Sequence, residues 1–582
     1  MARYRKNTAQ ILFTDVFKGI DVTEGGKKNF SSSVYMKNFR VTEQGKLKKR
    51  CGYKKIKSGV SADSCYADSI GGEEYFIYKN GTTLNALRLS DLRLVSVDTE
   101  DFVKVGYFKF GGFVYIYGRG LYYRFDGDAF EQITPYIPTV AVSCSSSGGG
   151  TPYESLNIIS DMAAVSYSPD GESDEFILPD MAKSVYLVEL EGEEVDDEEY
   201  TYNSLTHTLT FEDAPSGDLP DSLKVTFVIS DGTMLNMPSV GPGFCIYGGD
   251  RDTRVFSYGY SNVLRYSDVT ANGADPTYFP TDNFITVGDG SSKITALLRH
   301  YDRLMVFTER ETWFLSPSSV DHDGYSKPSF PLSPLNSTVG CAGGGAAYAD
   351  NSPITLSGDG IYVFSRSTVR DERNAQRISD KVCSYTDTAF LRSAVVFDNE
   401  HDKEIWMCFS DGALIYNYGK DVFYYYDNVP ARYLFALDGK VAFYSGEALY
   451  VFDQSCKTDD GAGICAVCES GSVTLDPVSK KRRLRRVCLS YLPEGETTVS
   501  VYAVPNRGEA CRYVFYAEQA YSGLDFGHIS FGSFTFSCGA RCVHGRCRAR
   551  LSSFESIGIR IESGAGDGGL SVDSVSLTAD GT

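Results

Sequence analysis

Sulfur and imidazole ligands gather near the end of this 582-residue chain. Cys465 and Cys468 form a Cys-x-x-Cys pair, and Cys538, Cys542, His544 and Cys547 follow. Zinc takes four such ligands in a tetrahedron, and the first pair has a suitable spacing. Cys542 and His544, two residues apart, would share one face of a strand. Both groups sit in alternating apolar runs, where reduced Cys packs as a small core residue. Disulfides formed after cell lysis are a third reading.

Other chemistries find less support. The six histidines (His207, His300, His322, His401, His528, His544) accompany neither a GxSxG elbow nor an HExxH pair. Among 76 Asp and Glu, neighbouring carboxylates are unavoidable. Sequence spacing cannot report the separation of about 5–9 Å that a glycosidase needs. DHDG at 321–324 lacks the later ligands of a calcium loop, and GDGSS at 288–292 lacks the Lys-Ser/Thr of a P-loop. No catalytic, cofactor-binding or firm metal site is therefore assigned. The basic run KKRRLRR (480–486) would put charge on both faces of a strand. An exposed edge or a subunit interface accounts for it, and contact with DNA or an acidic neighbour is the sharper alternative.

The elements that would position these groups are short hairpins. GRGLYYRF (118–125), GDGIYVF (358–364), GALIYNY (412–418) and GEALYVF (446–452) each place Gly at a turn before period-two apolar alternation. Asn80-Gly81 and Gly111-Gly112 mark further hairpins. One hairpin cannot bury a face alone, so the repetition predicts stacked blades. The expected fold is all-β: a β-propeller of seven or eight blades, with an inserted small β-sandwich and a C-terminal β-sandwich. The predicted boundaries are 1–145 for the N-terminal segment and first blades, 151–240 for the insertion, 241–456 for the remaining blades and 457–582 for the last domain. CSSSGGGTP (144–152) reads as a linker, and the acidic run of the insertion as a solvated face.

Composition agrees with this class. Forty Tyr, 35 Phe and 57 Gly against two Trp form an all-β profile. No run of 18 apolar residues spans a membrane, and MARYRKNTAQ lacks the apolar core of a signal peptide, so folding in a cytosol is expected. A formal charge of −20 opposes a nucleic-acid grip, yet it suits a wall along which DNA must slide without sticking.

NFRVTEQGKLKKRCGY (38–53) is similar to the opening of bacteriophage tail nozzle and head–tail stabilisation proteins, matching at Asn38, Phe39, Gly45, Leu47, Arg50 and Gly52. Residues 264–315 resemble the same family's central blades through Ser267-Asp268, Tyr278-Phe279-Pro280, Gly288-Asp289-Gly290 and Ile294–Leu297. Arg377–Lys381, with Ser379 and Asp380, continues the likeness. Order and spacing carry it, since no single motif is diagnostic, and the C-terminal cysteines depart from the pattern.

The resemblance implies a non-enzymatic virion tail protein without cofactors, assembled in the host cytoplasm. It implies a closed ring, commonly a hexamer, below the portal and adaptor. Such a ring closes the DNA exit channel, anchors fibres or spikes and opens for ejection, with no membrane insertion and no specific DNA binding. The alternative is a receptor- or carbohydrate-binding propeller at the tail tip, followed by a glycosidase.

Overall fold

The computed structural model describes residues 10–100, 104–118, 121–229, 240–248, 252–322, 325–364, 374–475, 481–494, 497–517, 542–566 and 568–581. The fold is all-β, and its contacts divide it into two compact units, residues 63–341 and residues 1–62 with 342–582. No helix among the described residues is long and apolar enough to cross a membrane.

The repeating element is a four-stranded antiparallel sheet, the form of a propeller blade. Among the described residues, the unit 63–341 holds four of them, beginning at Ser64–Ile70, Gly106–Phe110, Gly243–Tyr247 and Ile294–His300. The other unit, among its described residues, holds three, beginning at Ala346–Ala349, Val395–Asn399 and Tyr433–Leu437. Turn chemistry explains the hairpins. Phe110 pairs with Phe113 across Gly111-Gly112, both at positive φ, as a two-residue loop demands. At the Asn80-Gly81 signal the loop is displaced by one residue. Asn80 pairs with Thr83, and Gly81-Thr82 makes the turn.

The sheet that begins at Tyr433–Leu437 takes its last strand, Tyr53–Ser58, from the other end of the chain. Its clasp is aromatic. The Tyr53 ring lies 5.0 Å from Phe443, 5.3 Å from Tyr450 and 5.4 Å from Phe452, each edge-on.

The inserted module is a sheet of six strands facing one of three, closed over Tyr167, Phe176, Leu209 and Phe227. Its first strand is Thr139–Cys144, so it starts before the expected residue 151. The Ser/Gly stretch joins that strand to Thr151–Pro152 as a hairpin turn rather than a linker. Composition marks such a stretch as a turn, but not whether its flanks pair.

The second sandwich also departs from expectation, because 457–582 does not build it alone. Gln10–Thr14, Phe39–Val41 and Leu47–Lys49 join one sheet with Arg482–Glu494, Val543–Phe554 and Gly569–Gly581. Ser33–Lys37 joins the facing sheet beside Ala466–Ser470. Pairing between chain ends leaves no local signal, which is why the boundary at 457 misses it. The basic run is corrected too. Arg482–Glu494 lies between two strands, not at an edge.

Replacing Tyr53 by Ala is expected to destabilise its unit by about 3–5 kcal/mol in urea unfolding, the usual cost of a lost buried ring. Replacing exposed Tyr186 in the module should stay within about 0.5 kcal/mol.

Candidate functional site: buried anchors, an aromatic cavity and an arginine face

The sulfur ligands do not converge. Cys468 is buried and meets the Ser33 hydroxyl at 3.1 Å, and burial pushes its thiol up to about 12. Exposed Cys465 contributes its carbonyl, which accepts from Asn38. On the facing sheet, Cys542 and His544 do share one hydroxyl. Ser490 Oγ lies 2.9 Å from Cys542 Sγ and 3.0 Å from His544 Nδ1, while Cys542 donates to Asp573 at 3.2 Å. Cys547 packs against the core instead. Burial raises the Cys542 thiol, against the direction a nucleophile needs. Among the described residues no group of three His, Cys, Asp or Glu could hold a metal ion. Cys538, His528, Lys480 and the tip of DHDG lie outside the described residues.

The opening motif becomes a buried polar knot. Arg50, with 1% of its side chain exposed, bonds both oxygens of Asp459 at 2.7 and 2.6 Å. Its remaining N–H groups donate to Asn38 Oδ1 and to the Cys51 and Asp427 carbonyls, so all five donors are used. Asn38, at φ +58°, donates in turn to Asp427 at 2.5 Å and to the Cys465 carbonyl at 2.7 Å. Phe39 is fully buried, and Gly45 makes the turn between Phe39–Val41 and Leu47–Lys49. Gly52 admits no side chain, since an added Cβ would sit 1.9 Å from the Thr458 carbonyl oxygen.

The later motif positions also brace the frame. Ser267 exchanges hydrogen bonds with the Val255 backbone, and Asp268 pairs with Arg254 at 2.9 Å. Asn157, which no sequence signal singles out, bonds the Phe279 amide and the Tyr136 and Thr277 carbonyls, and it bridges to Pro280. Ser379 accepts from the Ile361 amide, while Asp380 pairs with Arg377 on the surface.

Three features were not legible in sequence. Tyr385, Phe390, Phe409 and Tyr425 wall a cavity of about 450 Å³, with Asp411 and Asp427 on its lining. Glu404, 1% exposed, accepts from Tyr424 and Trp406 and faces Arg40 at 3.8 Å. Burial and then Glu400 raise Asp398 to about 7, and its Oδ1 has no hydrogen-bond partner.

Most of the basic run lies on the outward side of its sheet, although Arg482 is buried. A bulge at Leu484/Arg486 turns both Arg485 and Arg486 outward, beside Arg483. The neighbouring strand adds exposed Arg546, Arg548 and Arg550. Arg485 pairs with Asp580 at 2.7 Å.

Arg50→Ala should cost about 3–5 kcal/mol by stranding Asp459, and Arg50→Lys should recover only part of it. Asp398 supplies a pH signature. Its carboxyl is neutral in both states below the unfolded value of about 4, and the full burial penalty applies above about 7. Thermal stability should therefore fall between about pH 4 and pH 7, and Asp398→Asn should flatten that slope.

No family model and no curated protein matches the chain. A chain from the crystal structure of the mitotic checkpoint complex is similar at a TM-score of 0.33 and 12% identity, covering 70% of this chain and 93% of that one. The extracellular domain of a one component system from B. thetaiotaomicron gives 0.20 and 10%, covering 86% and 88%. An exo-beta-1,3-galactanase from Phanerochaete chrysosporium gives 0.17 and 10%, covering 82% and 96%. Likenesses this distant carry no argument about function.

Proposed function

We propose that this chain is a structural subunit of a bacteriophage tail, forming a nozzle ring below the portal and adaptor. The carrying observation is where the nozzle-like residues fall. Asn38, Phe39, Arg50, Gly52, Ser267, Phe279, Pro280 and Ser379 are buried and brace the frame, Gly45 and Asp268 are half-buried, and Gly288–Gly290 and Asp380 are exposed. A set that touches substrate or receptor would reach solvent; a set that holds a shape does not need to. Blades, an inserted module and a sandwich closed by both chain ends suit a subunit that bears load.

In this reading the ring is closed and head-to-tail, with six subunits as the expected number. Fibres or spikes attach outside, and their engagement moves loops away from the lumen. A chain of charge −20 lets DNA pass without binding the wall. The subunit performs no chemical step and needs no cofactor, and its place is the virion tail after assembly in the host cytoplasm.

The cavity favours a second reading, recognition of a carbohydrate receptor. Tyr385, Phe409 and Tyr425 offer ring faces to a sugar, and Asp411 offers acceptors for its hydroxyls.

Light scattering and negative-stain imaging, alone and with portal–adaptor complex, test the first reading. It expects a ring of about six subunits with a central hole. A monomer that stays off the connector removes it. Glycan-array binding lost on Tyr425→Ala would support the second.

A further inference from the structure

The arginine face is electrostatically unfinished. Arg483, Arg486, Arg546, Arg548 and Arg550 are exposed, and none forms an ion pair among the described residues. Arg486 stands directly opposite Arg548 in register. Like charges directly opposed on neighbouring strands destabilise a sheet. Asp580 is taken by Arg485, and Asp573 accepts from Cys542, so neither answers these five arginines. At the far side of the same sheet, Ile11 and Phe13 are 66% and 56% exposed. Ile11 pairs with Thr578 and Thr578 with Arg486; Phe13 pairs with Ser576 and Ser576 with Cys488. The face thus runs from an apolar margin through small hydroxyls to a basic margin.

The inserted module carries the opposite imbalance. Glu191, Glu193, Glu194, Asp196, Asp197, Glu198 and Glu199 are exposed and form no ion pair among the described residues. Here too like charges oppose each other, Glu189 against Glu194, with Lys224 at 4.0 Å from Glu189 and no counterion at Glu194 among the described residues. Each surface holds charge repulsion that the other would relieve.

We propose that the arginine face of one copy binds the acidic run 191–199 of a second copy. This inference deepens the nozzle reading and rests on it. The two surfaces differ, so the contact is head-to-tail and propagates from copy to copy instead of stopping at a symmetric dimer. The charges set the register and speed of encounter, and the Ile11–Phe13 margin adds apolar area that exposed ion pairs alone do not supply. A nucleic acid would also meet the arginines, but it would leave the acidic run unanswered and would approach against the charge of −20.

A charge exchange tests the contact. One variant carries Arg546→Glu, Arg548→Glu and Arg550→Glu; the other carries Glu193→Lys, Glu194→Lys and Asp196→Lys. All six positions are exposed, and the first variant replaces an Arg–Arg opposition with Glu–Arg, so its melting temperature should not fall. By sedimentation at about 50 mM salt, the wild type should self-associate, and each variant alone should do so at least tenfold more weakly. An equal mixture of the two should regain association, because each altered surface then meets its altered partner. Raising salt to about 500 mM should weaken wild type and mixture alike.

Three results would overturn the contact: a wild type monomeric at low salt, an arginine variant that associates as wild type does, or folded variants that fail to restore each other. Wild-type rings that persist in the arginine variant would remove this contact and keep the nozzle reading. Loss of a duplex-DNA shift in that variant, with association unchanged, would reassign the face to nucleic acid. A wild type that neither self-associates nor binds the connector removes the nozzle reading itself.

Discussion

A buried guanidinium is expensive unless every N–H has a partner and the charge has a counterion, and the joining of both chain ends in one unit depends on meeting that demand at Arg50. Besides its neighbour Cys51, its partners come from three separated stretches: Asn38, Asp427 and Asp459. Satisfying one side chain therefore fixes the N-terminal strands against a blade and against the approach to the sandwich. Asn38 fits the role because its short amide tolerates positive φ while acting as donor and acceptor together. Asn428 adds a further bond to Asp459, so the counterion is itself held. A shifted register anywhere in the knot would strand a buried charge without its partner, which makes the assembled arrangement close to all-or-none.

The blades were readable because their signal is local. Gly at a turn and aromatic alternation lie within a dozen residues, and the hairpins at 73–88 and 106–118 follow. What stayed hidden depends on partners far away in the chain. Nothing in YKKIKS says that Tyr53–Ser58 completes a sheet begun at Tyr433, and nothing in LFTDVF says that Gln10–Thr14 pairs with the last strand. The basic run shows the same limit. Period two alone alternates its arginines between faces, and only the bulge at Leu484/Arg486 turns Arg485 and Arg486 out together beside Arg483, while Arg482 stays buried.

The candidate site was legible unevenly. Spacing would put Cys542 and His544 on one face of a strand; the strand begins only at Val543, and the two meet through Ser490. Resemblance picked out Asn38 and Arg50 without revealing that they bond each other. The cavity beside Tyr385 and Tyr425 draws on residues that look like ordinary strand aromatics, so no pattern announces it. Asp398 is likewise one carboxylate among 76, and only burial distinguishes it.

The strand Tyr53–Ser58 also sets an order of events during synthesis. It leaves the ribosome long before Ala448–Phe452, the strand it pairs with, so it must wait unpaired while most of the chain is made. An unpaired strand is a template for the wrong neighbour, another nascent copy included. Lys54, Lys55 and Lys57, all exposed, give the waiting segment a charge that repels its own kind. Lys54 and Lys55 then meet Asp453 and Asp460, which are translated with the delayed partner. Protection against aggregation and recognition of the correct mate are thus performed by the same side chains at different times.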